Sequence, residues 1–145
     1  MTPDFMLEAV KIAETSGKDI PVGALIVKDG KIIASGVNER EKRNSVIAHA
    51  EIIAIEKATK LLNTYRLDDC SIYVTLEPCP MCASAILQAR IKDIYFGAYD
   101  SLYGSFGSGC DMRELMKIKA NVKGGIREDE CSELLKNYFK GMRKC

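Results

Sequence analysis

The chain has 145 residues, 47% of them hydrophobic, and a formal net charge of +1 at pH 7. This length suits one domain with one core, and we expect a single domain over residues 1–145. No apolar run approaches the roughly 20 residues that cross a bilayer, and no basic-then-apolar leader opens the chain, so we expect a cytoplasmic protein without a membrane segment. The near-neutral charge excludes a strongly basic nucleic-acid footprint over the whole chain.

The hydrophobic pattern predicts a chain in which helices and strands alternate. The predicted strands cover residues 22–27, 31–37, 71–76 and 94–97. The predicted helices cover residues 3–16, 49–62, 80–90, 112–116 and 129–142. Thr2 is predicted to cap the first helix, with Pro3 in its first turn and Gly17 at its end. Asp29-Gly30 predicts the two-residue turn of a β-hairpin, and the Gly-rich residues 99–110 predict a loop.

One histidine and a pair of cysteines form the most informative pattern. His49 is the only histidine and lies upstream of Pro78-Cys79-Pro80-Met81-Cys82. An imidazole and two thiolates make three ligands for Zn²⁺, and a catalytic zinc site leaves its fourth position open for a water, which the metal activates near neutral pH. His49 and the pair Cys79 and Cys82 each lie near the N-terminus of a predicted helix, and the partial positive charge there favours thiolates.

A carboxylate completes this pattern. Glu51, two residues after His49, can take the proton of the activated water without being a ligand and then deliver it to a substrate. Such a pair can attack an electron-poor carbon that carries an amine and release ammonia, which is hydrolytic deamination. His-x-Glu followed by Pro-Cys-x-x-Cys is the signature of zinc deaminases. The alternatives are a structural zinc completed by a further cysteine such as Cys70, or two unrelated buried thiols.

The sequence does not decide the roles of two other groups of residues. Cys70, Cys110, Cys131 and Cys145 have no ligand spacing, and we expect buried or surface thiols in a reducing compartment. Basic residues also recur near the C-terminus, and they indicate either a phosphate-binding strip or a solvated helix face. These are Lys117, Lys119, Lys123, Arg127, Lys136, Lys140, Arg143 and Lys144.

Further motifs extend the zinc pattern over nearly the whole chain. They are Pro21-Val22-Gly23-Ala24, Asn38, Ala48-His49-Ala50-Glu51, Asn63-Thr64-Tyr65-Arg66-Leu67, Tyr73 to Cys82, Arg90-Ile91, Gly97-Ala98 with Asp100, and Glu130-Cys131 before Leu134-Leu135. With them the chain resembles the cytidine deaminase-like superfamily and, within it, the bacterial tRNA-specific adenosine deaminases, which convert the wobble adenosine of tRNA to inosine.

The resemblance implies a three-layer α/β/α fold with a five-stranded mixed sheet and a homodimer that binds the tRNA anticodon loop. It implies that His49, Cys79 and Cys82 bind zinc and that Glu51 shuttles protons. Asn38 would bind the target base, the Val22 side chain and the Ala50 backbone would line the substrate pocket, and Asp100 would lie near the substrate nucleotide. Tyr99, Tyr103 or Phe106 in the Gly-rich loop could supply an aromatic wall for a flipped-out base.

Three positions depart from the family pattern. Ser45-Val46-Ile47 replaces the usual Asp-Pro-Thr, Ser84 replaces a glycine, and Ala120-Asn121 lacks the usual following histidine. A deaminase of a small free nucleobase or nucleoside would keep the zinc residues and Asn38 without the anticodon contacts, and it is the alternative substrate class. A non-catalytic binding subunit is the other alternative, and it would be expected to lack Glu51.

Overall fold

Five strands form one mixed sheet in the computed structural model, which describes residues 3–142. The strands are β1 (Gly23–Lys28), β2 (Lys31–Val37), β3 (Cys70–Leu76), β4 (Asp93–Ala98) and β5 (Asn121–Lys123), in the order β2-β1-β3-β4-β5. β1 is antiparallel to β2 and β3, whereas β3, β4 and β5 run parallel. The predicted five-stranded mixed sheet is therefore confirmed.

Helices cover both faces of the sheet. They are α1 (Phe5–Ala13), α2 (Arg40–Arg43), α3 (Ala50–Leu62), α4 (Pro80–Gln88), α5 (Met112–Met116) and α6 (Glu128–Met142). One apolar cluster joins α1 and α6 to the sheet through residues such as Met6, Leu25 and Cys131. A larger cluster joins α3 and α4 to the opposite face through residues such as Ala54 and Ile86. The predicted α/β/α arrangement of layers is confirmed.

Local chemistry accounts for the elements that place the site. Asp29 and Gly30 both have positive φ, of 51° and 73°, which suits the hairpin turn between β1 and β2. Pro80 occupies the start of α4, where its missing N–H has no intrahelical partner to lose. α3 ends at Asn63, whose left-handed conformation closes the helix.

Three features differ from the predicted elements. Asp4, whose Oδ1 accepts a hydrogen bond from Leu7 N at 3.0 Å, caps α1, so the predicted cap at Thr2 and helical Pro3 are wrong; Thr2 itself lies outside the described residues. The short α2 lies in a segment with no apolar periodicity. β5 has three residues with no buried side chain, so the hydrophobic pattern did not indicate it. Within residues 3–142, no helix has both the length and the apolar character that crossing a bilayer requires.

Close packing of β2 against α3 generates a stability prediction. A Cβ on Gly36 would overlap the Ala50 carbonyl oxygen and lie 2.9 Å from Ala54 N. Gly36→Ala is therefore expected to lower the free energy of unfolding by about 1–3 kcal/mol, since strand and helix must separate. Urea denaturation measures the change. The control is Gly141→Ala, whose Cβ would meet nothing within 4 Å; equal midpoints for both variants would contradict the packing.

Candidate active site

Strand pairing brings the predicted site residues to one edge of the sheet. Asn38 N donates to Val22 O at 3.2 Å, so the start of β1 and the end of β2 lie side by side. β3 and β4 are parallel and end together at the paired residues Leu76 and Ala98. The segments that follow these two strands therefore begin at the same edge, which is where ligands commonly bind in α/β sheets.

Two helix N-termini meet at this edge and carry the metal-binding side chains. His49 is the N-cap residue of α3 and Cys79 that of α4, and neither side chain caps its own helix. His49 Nδ1 lies 3.7 Å from Cys79 Sγ and 3.4 Å from Cys82 Sγ. The ligand atoms of the three residues all lie within 4.8 Å of one another. The structure thus brings together all three predicted metal ligands.

This donor set fits zinc. Tetrahedral zinc with Zn–S bonds of about 2.3 Å and Zn–N bonds of about 2.0 Å holds nitrogen and sulfur roughly 3.5 Å apart, which matches the 3.4 and 3.7 Å found here. Within the described part of the chain, His49, Cys79 and Cys82 form the one cluster of this kind. Cys70 begins β3, about 20 Å from the other end of that strand, so it cannot be the fourth ligand of a structural zinc.

Hydrogen bonding shifts the pKa values of the two cysteines in opposite directions. A hydrogen bond from the Cys82 thiol lowers the pKa of Cys79 to about 4, and His49 acts in the same direction. The same hydrogen bond, together with burial, raises the pKa of Cys82. A bound divalent cation would favour the thiolate form of both cysteines.

Glu51 lies in the first turn of α3 and is only 4% exposed. Burial raises the pKa of Glu51 to about 7, and His49 opposes the rise. A cation on the three ligands would also oppose it, because positive charge stabilises the carboxylate. A carboxyl group that titrates near neutrality can both accept and donate a proton, as a proton shuttle must.

Asn38 follows β2 and is 8% exposed. Its Oδ1 accepts a hydrogen bond from Ala50 N at 2.8 Å. This bond fixes the orientation of the amide, and no described residue accepts a hydrogen bond from its Nδ2. The Ala50 backbone, predicted to line the pocket, lies behind Asn38 and has its N–H occupied by that side chain.

A cavity of about 320 Å³ opens beside the metal ligands. The predicted residues that line it are Val22, Asn38, His49, Glu51, Cys79 and Asp100. Tyr103, one of three aromatic residues considered for a pocket wall, also lines it, and the lining residues that the sequence analysis did not identify are Ile20, Arg40, Leu76 and Glu77. Only Glu77, a carboxylate directly before Pro78-Cys79, offered a signal in the sequence. A larger cavity of about 920 Å³ between α6 and the turn after α1 includes none of the metal ligands.

Comparison with known proteins decides the family. Residues 2–98 match the model of the cytidine and deoxycytidylate deaminase zinc-binding region. The chain belongs to the cytidine and deoxycytidylate deaminase family. It is therefore a zinc-dependent hydrolytic enzyme, and the resemblance drawn from the motifs is confirmed.

Comparison with individual relatives shows which deaminases this chain is similar to. This deaminase is 41% identical to the tRNA-specific adenosine deaminase of Bacillus subtilis (strain 168), over 99% of this chain and 93% of the relative. It resembles a structure from work on A-to-I editing by tRNA:A34 deaminases at the wobble position of transfer RNA, with a TM-score of 0.83 and 37% identity over 92% of this chain and all of that one. Guanine deaminase from Bacillus subtilis is 48% identical over 66% of this chain and 62% of its own, with a TM-score of 0.63.

The other described cysteines of the deaminase lie apart from the metal ligands. Cys70 and Cys131 are buried and Cys110 is exposed, as expected of core and surface thiols, while Cys145 lies outside the described residues. The predicted basic strip is interrupted, because Arg127 is paired with Asp4 and Glu130.

Removing one ligand should remove the metal. Cys79→Ala leaves two of three protein ligands, so we expect zinc to fall from about one ion per chain to well below half after dialysis. Elemental analysis by mass spectrometry measures the content. Cys131→Ala, which deletes a buried thiol outside the metal group, should retain its zinc. Equal zinc in the two variants would contradict the assigned site.

Proposed function

We propose that this deaminase converts the wobble adenosine in the anticodon loop of tRNA to inosine, with water consumed and ammonia released. The observation that carries the proposal is the similarity to the Bacillus subtilis tRNA-specific adenosine deaminase over 99% of this chain. The cavity of about 320 Å³ beside the metal ligands supports it, since a base flipped out of an RNA loop needs such a pocket.

The residues at the cavity would divide the chemistry between them. Zinc, when bound by His49, Cys79 and Cys82, supplies the Lewis acid that activates water. Glu51 takes one proton from the attacking water and delivers it to the ring nitrogen, then takes the proton of the newly added hydroxyl and delivers it to the amine, which leaves as ammonia. Burial of Glu51 beside the ligands supports this role, because burial raises its pKa to about 7, where a carboxyl group can both accept and donate a proton.

Three residues would contact the target nucleoside, and a fourth would orient one of them. Asn38 donates a hydrogen bond from Nδ2 to the base, since its Oδ1 is already occupied by the N–H of Ala50. Val22 forms an apolar wall, and Asp100 lies on another side of the same cavity. Ala50 contributes indirectly, by orienting the Asn38 amide.

A cation lines the cavity and favours a substrate that carries phosphate. Arg40 is an exposed residue of α2 that contributes to the lining. Its neighbours Lys42 and Arg43 are both paired with Glu39, whereas no described residue forms an ion pair with Arg40. A guanidinium in this position can bind a backbone phosphate next to the target nucleotide, which a free base lacks.

Deamination of free guanine is the second candidate. The 48% identity to a guanine deaminase over 66% of this chain supports it, as does Val46-Ile47, which is exposed in place of the family's usual Pro-Thr. The two substrates require different recognition beyond the zinc residues, so activity separates them.

Substrate choice is tested by ammonia release from zinc-loaded protein. An anticodon stem-loop with wobble adenosine is compared with guanine, adenine, cytosine and their nucleosides. We expect inosine in the stem-loop and no turnover of the free compounds, because only the stem-loop offers phosphates to Arg40. A matched stem-loop with wobble guanosine is the control. Turnover of guanine with an inert adenosine stem-loop would favour the second candidate.

Glu51→Gln tests the assigned proton shuttle. The amide keeps the size of the side chain but cannot accept and return a proton, so we expect kcat to fall by at least about 100-fold with zinc content unchanged. Glu56→Gln, an exposed position on the same helix, is the matched control and should retain full activity. Retained turnover in Glu51→Gln would contradict the assignment of Glu51 as the proton shuttle.

We further propose that residues 1–145 act as one deaminase domain, that the protein forms a homodimer and that it works in the cytoplasm. Exposed apolar side chains such as Leu61, Leu102 and Leu115 support a partner surface, and free thiols at all five described cysteines support a reducing compartment. Light scattering should give about twice the 16.0 kDa mass of one chain, and a monomer would contradict the dimer.

A further inference from the structure

Glu77 is a buried carboxylate that the proposed chemistry does not use. It follows Leu76, the last residue of β3, precedes Pro78-Cys79 and is 2% exposed. None of the ion pairs between described residues includes it. A buried carboxylate without a cation must be stabilised by hydrogen bonds, so the groups that donate to Glu77 indicate its purpose.

All the donors to the Glu77 side chain come from one downstream segment. Oε1 accepts from Asp100 N at 3.2 Å, and Oε2 accepts from Phe106 N and Ser108 N, both at 3.1 Å. We call residues 100–108 the mouth loop. A carboxylate has about four acceptor positions, and three are occupied here by backbone N–H groups. The Glu77 carboxylate is therefore largely occupied by the backbone of the mouth loop.

The mouth loop closes tightly around this carboxylate. A Cβ on Gly104 would overlap both the Glu77 carboxyl group and the Asp100 carbonyl oxygen, so only glycine fits there. Ser105 N also donates to Pro78 O at 2.9 Å. Apart from one isolated bridge at Phe106, the loop has no strand or helix of its own. Its conformation therefore depends on the contact with Glu77.

The mouth loop carries one wall of the cavity. Asp100 and Tyr103 both line it, and Tyr103 is 62% exposed. Asp100 Oδ1 accepts hydrogen bonds from Leu102 N and Tyr103 N, which ties the two lining residues together. A shift of the loop would therefore move both lining residues together, away from the metal ligands.

We infer that Glu77 is a positioning residue that holds the mouth loop as a wall of the substrate cavity. It controls how tightly substrate binds and leaves proton transfer to Glu51. The inference rests on the proposed function only in that this cavity holds the substrate, and it applies equally to a stem-loop and to free guanine.

Glu77→Gln weakens the contact with little change in size, because the amide NH₂ must face at least one backbone N–H donor. We expect KM to rise by about tenfold or more, kcat to change by less than about threefold, and zinc content to stay the same. Kinetics use whichever compound the unmodified protein turns over. Hydrogen exchange of the mouth-loop amides, which needs no substrate, should become faster.

Gly104→Ala breaks the same contact from the other side, so it carries the test if Glu77→Gln does not fold. We expect the same rise in KM and the same faster exchange. The double variant should be no worse than the worse single variant, because both remove one interaction. Asp4→Ala, which removes the cap of α1 away from the cavity, is the control for a general loss of stability and should leave KM and mouth-loop exchange unchanged.

Three results would overturn the inference. Unchanged KM and exchange in both variants would show that the loop holds its position without Glu77. A fall in kcat at constant KM would place Glu77 in the chemical step, and loss of zinc would show that it acts through the metal ligands. Failure of the proposed function is separate, because the substrate panel on the unmodified protein detects it while amide exchange still reports on the loop.

Discussion

The metal-binding geometry depends on the close approach of two helix N-termini, those of α3 and α4. The metal ligands are the N-cap residues of α3 and α4 and one residue in the first turn of α4, so a small displacement of either helix would separate the imidazole from the sulfurs. β3 fixes α4, because only three residues separate strand from helix. β2 fixes α3, because Gly36 lets the helix backbone lie directly on the strand. The sheet thus sets the geometry of the metal ligands.

Three carboxylates of the described residues are buried, Asp19, Glu51 and Glu77, and their hydrogen bonds separate their roles. Asp19 accepts from Glu41 N and Lys42 N and so holds α2, the helix of Arg40. Glu77 holds the mouth loop in the same manner. Glu51 is different, because its neighbours are the metal ligands and burial is the main influence on its pKa. Carboxylates that accept backbone N–H groups from other segments hold those segments in place, whereas a buried carboxyl group whose pKa lies near 7 is suited to proton transfer.

Local sequence patterns predicted the metal ligands better than the residues that line the cavity. The spacing of His49, Cys79 and Cys82 and the adjacent helix starts were visible in the sequence, because ligand identity and helix capping depend on neighbouring residues. The role of Glu77 was not visible, since its donors lie 23 to 31 residues downstream. Arg40 was missed because it lies in a four-residue helix that has no apolar periodicity. β5 was not predicted because a three-residue strand with exposed ends has no apolar alternation.

The hydrogen bond between Asn38 and Ala50 determines which hydrogen-bonding group of the Asn38 amide is available in the cavity. Because Oδ1 accepts the N–H of Ala50, the amide is oriented and its Nδ2 is the group left without a partner among the described residues. In the proposed complex this donor would favour a base edge that carries an acceptor. Adenine and guanine both offer N7 as an acceptor, so a donor that meets this atom does not distinguish the two purines. Discrimination between them must then come from groups that meet the substituents on the six-membered ring.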